Sequence, residues 1–482
     1  MKQQVIESLK WLAIGKVLSQ AFRWGATIFT MRILFPEDYA IIAISSFFIE
    51  FLWMFSTGGI LTALVRQKDL STQVIKQFTT FSYLAHTALF LILFFMAEFI
   101  ANIYGNSSLE KVIQLSSISF LISCIGLNSK ALLSRELDFR SISISEATGD
   151  IICSLTTLYL AYIGLGFWAI VWGNLIKVII ENMLLIFFRP VFFFPNLIKK
   201  ESGPLVKFAS KAAFLGTLAH IATNADIAIA GLILSDHELG VFQFAVVFAM
   251  MPMSKIMPMI RQVALPAYAK LQDEPAKLRQ YFIKSQRMML LVMIPLFWGI
   301  SACSYTIIPI IFGEKWTDAC LVLSVYCLSV PLKLILELVG PVFKAIGDVN
   351  TLITNTFINI AIMLPSFVIG SFWGPVGLAL SWLIGFSLVF IIVSNRICTR
   401  LNISTASFYR SLAFVMTSGI VMLVSVFFTT ELLENHINLL LLLICQIIVG
   451  AISYFISLLL LDKKVLQEAL NMMPTKYRKW IS

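Results

Sequence analysis

Charged side chains that interrupt long apolar stretches are the residues of this sequence best placed to do chemistry. A Lys or Arg at mid-bilayer costs about 2.5–3.5 kcal/mol on insertion scales unless it faces water or a partner. The apolar stretch 11–33 carries Lys16, Gln20 and Arg23 at i, i+4 and i+7, a spacing that puts all three on one face of a helix. Two cations on one stripe call for a hydrated cavity and suit an anionic ligand; the competing reading is that Lys16 merely snorkels to the membrane surface. Stretch 208–234 carries Thr217, His220 and Asn224 at i, i+3 and i+7, with Asp226 close by, and stretch 240–262 adds Lys255 and Arg261. Lys177 with Glu181, and Lys333 with Glu337, stand four apart, the spacing of an ion pair along one helix. Lys177 is the deeper of these lysines and the better placed for a second role. Acids are fewer: Glu50, Glu146 with Asp150, and Asp226. An acid in low-dielectric surroundings can bind and release a proton as its hydration changes, which makes Glu50, Asp150 and Asp226 candidate ion-coupling sites. The competing reading is that each neutralises a neighbouring cation.

No catalytic constellation accompanies these charges. The sequence holds no GxSxG, Walker A or HExxH motif and no DxD-bearing loop, and its four histidines are dispersed. Its seven cysteines form neither a CxxC pair nor a Cys/His cluster with metal spacing, so they read as small apolar packing residues. Neither enzymatic activity nor a metal or other cofactor is expected.

The elements that must position the charges are transmembrane helices. Of 482 residues, 59% are hydrophobic and 13% charged, against roughly half and a quarter in soluble domains. The apolar residues come in blocks of about 20 or more, the length that crosses a bilayer. This excludes a cytosolic enzyme, a secreted disulfide scaffold, a disordered chain and a coiled coil. Fourteen spans are expected, at 11–33, 40–64, 78–102, 112–133, 143–162, 167–188, 208–234, 240–262, 288–312, 319–341, 351–370, 374–394, 410–430 and 438–461. The first carries internal charges and lacks a small-residue cleavage site, so it reads as a retained span.

The formal net charge of +10 reads as a topology signal, not as a nucleic-acid footprint. With the N-terminus inside, most Lys and Arg fall in cytoplasmic segments: Arg66, Lys68 and Lys76; Lys130, Arg135 and Arg140; Lys199, Lys200 and Lys207; the run from Arg261 to Arg287; and the tail from Lys463. The outer loops are acidic instead, with Glu37 and Asp38, Asp236 and Glu238, Glu431 and Glu434. Both termini are therefore expected in the cytoplasm. The longest loop, 263–287, reads as a linker helix lying near the headgroups, and no loop has room for the catalytic domain of a glycan polymerase or ligase.

The chain also repeats at about 200–210 residues. Arg32-Ile-Leu-Phe-Pro-Glu-Asp-Tyr-Ala40 after the first span parallels Gly231-Leu-Ile-Leu-Ser-Asp-His-Glu-Leu-Gly240 after the seventh. Leu133-Ser-Arg-Glu-Leu-Asp-Phe139 with Gly164-Leu-Gly-Phe-Trp168 parallels Phe343-Lys-Ala-Ile-Gly-Asp-Val349 with Gly370-Ser-Phe-Trp373. An offset of six spans keeps one orientation, so the copies form a parallel repeat. The fold class expected is an all-α polytopic membrane protein of about 14 helices. Its parts are an N-terminal lobe over 1–200, a second lobe over 201–400, and helices 13 and 14 with a basic tail over 401–482.

With its six-plus-six-plus-two spans and its Arg-x-Leu-x-Pro-Glu-Asp-Tyr hairpin, the chain resembles the polysaccharide-transporter, Wzx-like branch of the MOP flippase superfamily, nearest to exporters of the colanic-acid and teichuronic-acid type. The resemblance implies a flippase of the bacterial inner membrane. Its cargo would be an oligosaccharide repeat unit on an undecaprenyl diphosphate carrier, turned between leaflets by alternating access between the lobes for exopolysaccharide or surface polysaccharide synthesis. Membrane lipids and the polysaccharide polymerase machinery are the implied partners. In the similar lipid II flippases, basic residues on helices 1, 2 and 8 meet the diphosphate; Lys16 and Arg23 match helix 1 and Lys255 matches helix 8, while helix 2 departs by offering Glu50. Lys177 joins these cations, and Gln20, His220 and Asn224 are the expected glycan contacts. Helices 13 and 14 resemble the added pair that forms a groove for the polyprenyl tail. The main alternative is a MATE-like exporter of organic cations, which calls for an acidic cavity.

Overall fold

Within lipid, every backbone N–H and C=O must find a partner inside protein, which confines a spanning chain to helices or a closed barrel. The computed structural model, which describes residues 20, 22–55, 72–191, 203–462 and 468, takes the first course. Among the described residues all regular structure is helical. The first half comprises α1 (22–33), α2 (Pro36–Trp53), α3 (Thr72–Tyr104), α4 (Ser108–Arg135), α5 (Phe139–Tyr162) and α6 (Trp168–Phe188). Then come α7 (Gly203–Ile233), α8 (Asp236–Met250), α9 (Met253–Ala269), α10 (Pro275–Ala302), α11 (Ser304–Ile311), α12 (Ala319–Leu336), α13 (Val339–Ala345), α14 (Val349–Ser371), α15 (Gly374–Leu380), α16 (Phe386–Arg400), α17 (Thr405–Leu433) and α18 (Leu439–Leu461). Ten helical segments among the described residues are long and apolar enough to cross a membrane, and the chain is a multi-pass membrane protein. They match expected spans 3, 4, 6, 7 and 9 to 14. Of the other four expected spans, span 1 is described only at Gln20 and from residue 22 on, α2 carries Glu37, Asp38 and Glu50, α5 carries Arg140, Glu146 and Asp150, and span 8 is divided between two shorter helices.

Several boundaries correct the sequence reading. Expected span 8 is broken at Met251–Pro252 into α8 and α9, because Pro252 cannot donate the hydrogen bond that would continue α8. Spans 9 and 10 are likewise each built from two helices, parted at Cys303 and at Glu337–Leu338, and span 12 contains a turn of π-helix at Ser381–Gly385. The expected linker helix at 263–287 does not exist as a separate element: its residues end α9 and begin α10, with Pro275 in the first turn of α10. Pro295, Pro309, Pro331 and Pro365 lie inside helices.

The chain divides into two compact units, Met1–Gln243 and Phe244–Ser482. In the first, α5 packs along α6 and α3 along α4, and α7 packs on α2. In the second, α10 packs on both α12 and α17, and α17 pairs with α18. Gly419 of α17 lets that helix lie directly on Ile294 and Trp298 of α10, where any Cβ would collide, and the Tyr454 hydroxyl of α18 donates to the Leu291 carbonyl at 3.0 Å. Phe244 stacks on Trp316 with centroids 4.1 Å apart, and both side chains are fully buried.

The parallel repeat recurs as geometry. Asp38 Oδ2 accepts from the Phe35 N–H at 2.9 Å, and Glu238 Oε2 accepts from the Ser235 N–H at 3.0 Å: the same carboxylate clasp closes both hairpins. Asp138 caps α5 by accepting from the Ser141 N–H and hydroxyl, at 3.1 and 2.7 Å. Asp348 caps α14 by accepting from the Thr351 N–H and hydroxyl, at 3.1 and 2.6 Å. The residue before each cap is left-handed, Leu137 at φ +60° and Gly347 at φ +77°. Tyr104-Gly105 and Phe312-Gly313 form a further pair of left-handed turns, at φ +67° and +92°.

Candidate functional site

The α5–α6 pair sets the geometry of the charges. Small residues let the two helices approach closely: a Cβ at Gly173 would collide with the Thr157 hydroxyl, and one at Gly149 would already touch Lys177, the close approach that small residues allow between membrane helices. This seam brings Lys177 Nζ to 2.6 Å from Asp150 Oδ1. From α1, Arg23 Nη1 reaches the same oxygen at 3.3 Å. Two sequence-predicted cations and one predicted acid thus meet in a triad with formal charge +1. The carboxylate side chain is only 7% exposed, while Lys177 is 27% and Arg23 45% exposed. One turn along, Cys153 Sγ lies 3.7 Å from Asn174 Oδ1.

The expected Lys177–Glu181 pair along α6 is corrected by this arrangement. Glu181 instead accepts from Lys130 of α4, whose Nζ lies 3.0 Å from Glu181 Oε1 and 3.1 Å from Glu146 Oε1. Four helical residues separate the two levels, a rise of about 6 Å: a cation-rich triad around Asp150, and a second triad of formal charge −1 around Lys130. Sequence spacing gives Lys130 no place in a site, because its partners lie on two other helices and local spacing carries no sign of them. In the second unit, Lys333 Nζ stands 4.0 Å over the Trp382 ring, a cation–π contact that sequence spacing does not indicate.

The helix-7 residues form a different cluster. His220 Nε2 is 3.2 Å from the Phe47 carbonyl of α2, and Asn224 Nδ2 is 3.1 Å from His220 Nδ1. The amide can only donate, so Nδ1 accepts and Nε2 carries the proton toward Phe47. Both ring nitrogens are occupied, and the ring packs 5.3 Å from Phe47. Asp226 is buried, with Oδ1 accepting from the Ile227 N–H at 2.9 Å. Glu50 is exposed on α2. Gln20 is buried, and its Oε1 and the Nε1 of Trp24, the residue after Arg23 on α1, have no hydrogen-bond partner among the described residues. Lys16 lies outside the described residues, as does the side chain of Lys255 on α9.

At the end of the first unit that carries the hairpins, the 34–36 and 234–240 turns touch. Glu37 Oε1 lies 2.9 Å from His237 Nδ1, Asn106 Nδ2 donates to Asp236 Oδ2 at 2.8 Å, and the Phe167 N–H donates to Asp38 Oδ1 at 2.8 Å. Gly240 lies so close to the Pro36 carbonyl that no side chain fits. Partial burial works to raise the Glu37 carboxyl, but its own backbone N–H and His237 outweigh it and hold the group below its ordinary value.

Residues 30–321 match the family described as polysaccharide biosynthesis protein. The chain is similar to the lipopolysaccharide biosynthesis protein WzxC of Escherichia coli K12, with 23% identity over 81% of this chain and 80% of the relative. It is similar along almost its full length to the succinoglycan biosynthesis transport protein ExoT of Rhizobium meliloti, with 20% identity over 97% of this chain and 95% of the relative. Among solved structures it shares the fold of the lipid II flippase MurJ in its inward closed conformation, with a TM-score of 0.75 and 17% identity over 92% of this chain and 97% of that one. With more than half of its length matched, this multi-pass helical chain belongs to the polysaccharide biosynthesis protein family.

Proposed function

We propose that the protein is a flippase, not an enzyme: it turns an oligosaccharide repeat unit linked to undecaprenyl diphosphate across the bacterial cytoplasmic membrane for exopolysaccharide or surface polysaccharide synthesis. The observation that carries this reading is the Arg23–Asp150–Lys177 triad, an exposed guanidinium and a partly buried ammonium around a buried carboxylate among apolar helices. A diphosphate cannot cross hydrocarbon bare, and guanidinium and ammonium groups replace its water with charge-assisted hydrogen bonds. The names of WzxC and ExoT, and the flippase MurJ that shares the fold, support the same cargo class.

In this reading the cycle is alternating access, with residues 1–200 and 201–400 as the moving lobes and 401–482 as an appended helix pair for the polyprenyl tail. Lys16 and Lys255 extend the cationic path, Gln20, His220 and Asn224 meet the glycan, and Glu50, Asp150 and Asp226 are candidates for ion coupling. The polysaccharide polymerase machinery receives the product. Export of organic cations is the weaker reading, because it calls for an acidic cavity, whereas Glu146 and Glu181 are both held by Lys130 and Asp150 by Arg23 and Lys177.

The direct test is translocation of a fluorescent or radiolabelled lipid-linked glycan in proteoliposomes. Arg23→Ala at normal expression should lower the rate by about tenfold or more, the scale of one lost charge-assisted contact worth roughly 1.4 kcal/mol; full activity in that variant would remove the triad from the transport path.

A further inference from the structure

Each copy of the repeat ends its sixth span on an arginine, and the two arginines are partnered differently. Arg189, at the end of α6, is neutralised: its Nε and Nη2 donate to Glu136 Oε1 at 3.1 and 2.8 Å. Arg396 stands at the matching place in α16. Its Nε donates to Asn355 Oδ1 of α14 at 3.1 Å, a neutral partner that orients the guanidinium and leaves its charge whole. Among the described residues Arg396 has no carboxylate partner, so the N–H groups of Nη1 and Nη2 stay available as a fork. Asn355 is buried, and its Nδ2 has no hydrogen-bond partner among the described residues, which leaves a second donor unused beside that fork. The contact joins the start of α14 to the end of α16, and Arg400 and Lys344, both exposed, belong to the same end of this antiparallel pair. Asp348, the acid beside them in sequence, spends its two oxygens on Thr351. Leu388, Ile392 and Arg396 follow one another at four-residue steps along α16, within about 80° of one face and about 12 Å of rise. Both apolar side chains are exposed.

We propose that this end of the α14–α16 pair is a binding site for an anionic phospholipid. The phosphodiester sits on the Arg396 fork and the Asn355 amide, and an acyl chain lies along Ile392 and Leu388. A planar guanidinium offers two parallel N–H bonds to two phosphate oxygens, and basic pockets between membrane helices are where anionic headgroups bind. Arg400 and Lys344 add the field that draws a negative headgroup in, and the same field opposes the ammonium of a zwitterionic one. The exposed apolar stripe on a membrane-spanning helix faces lipid already, so the lipid orders only its headgroup to fill the site. The first copy has no such site, because Glu136 occupies the fork of Arg189. The proposal is independent of the cargo: it concerns a lipid held on the outer surface of one unit, and it stands whatever the protein moves.

The experiment titrates the full chain in detergent with dioleoylphosphatidylglycerol and counts retained lipids by native mass spectrometry, with dioleoylphosphatidylcholine as the zwitterionic control. Wild type should retain phosphatidylglycerol in preference to phosphatidylcholine, and Arg396→Gln should bind it about tenfold more weakly, the scale of a lost charge-assisted contact. Asn355→Ala should weaken binding severalfold, because the guanidinium loses its orienting partner. Arg410→Gln, the same charge change on the exposed start of α17, should leave binding unchanged. Equal retention of the two lipids, wild-type affinity in Arg396→Gln, or an equal loss in Arg410→Gln each overturns the site. Glycerol 3-phosphate, which carries the phosphate without acyl chains, should displace little of the lipid at equal concentration; full displacement overturns the lipid assignment in favour of a free phosphate. Should Arg396→Gln fail to fold, a phosphatidylglycerol with a photoreactive acyl chain decides on the wild-type chain. Crosslinks mapped to residues 388–396 support the site, and their absence there overturns it.

Discussion

Leu137 holds a left-handed backbone at φ +60° where the second copy of the repeat has Gly347 at φ +77°. A side chain in that conformation costs about 1–2 kcal/mol, and Leu137 is exposed, so it recovers little through packing. Leu137→Gly should therefore leave the melting temperature equal or raise it, by up to about 1 kcal/mol of stability after the entropy of the added glycine is discounted, while Gly347→Leu should lower it. The neighbouring cap gives a pH dependence. The Thr351 hydroxyl and N–H hold the Asp348 carboxyl below its ordinary value. A carboxyl depressed in the folded state contributes stability that is fully present above its unfolded value, near 4, and is lost as the pH falls through the folded one. Asp348→Ala should thus cost about 0.5–1 kcal/mol at pH 7, a gap in melting temperature that narrows progressively in acid. At this scale sequence spacing singled out Gln20, Arg23, Lys177 and Asp150 as polar groups in apolar stretches and allowed that Asp150 neutralises a neighbouring cation, but it did not say which cations. Position i+4 on the same helix is encoded in spacing; a partner across the Gly149–Gly173 seam depends on how closely two helices pack, which spacing does not contain.

The hairpins show the opposite case, an element whose geometry was written into its turn residues. Asp38 and Glu238 sit three residues beyond Phe35 and Ser235 and clasp their N–H groups, so the recurrence of turn chemistry in sequence became a recurrence of hydrogen bonds. The contact between the hairpins was not legible, because it rests on Gly240 having no Cβ beside the Pro36 carbonyl. Gly240→Val should separate the two turns and destabilise the protein by about 1–3 kcal/mol, seen as a lowered thermal midpoint. The helix breaks were partly legible: Pro252 falls at one, whereas the parting of α10 from α11 at Cys303 and the π-helical turn at Ser381–Gly385 carry no proline at the break itself. Other prolines, such as Pro331 in α12, lie within continuous helices.

For the whole molecule, composition alone was enough to set the class, since no soluble fold accommodates ten long apolar helices. The topology rests on charge. Reporter fusions after residue 270, within the basic run that joins α9 to α10, should report the cytoplasm, and fusions after residue 436, between α17 and α18, the outside; the reverse pattern would invert every loop. The two units could not be read from sequence, because α7 belongs to the second copy of the repeat yet packs on α2 of the first. That crossing explains Glu37 and His237, which are half-exposed and stand 200 residues apart at matching places in the two copies. Had the copies been separate identical chains meeting about a two-fold axis, the residue at this place would have met itself, acid against acid or imidazole against imidazole. Joined in a single polypeptide, each copy is free to change alone, and an attractive unlike pair now stands where symmetry would have enforced a like one.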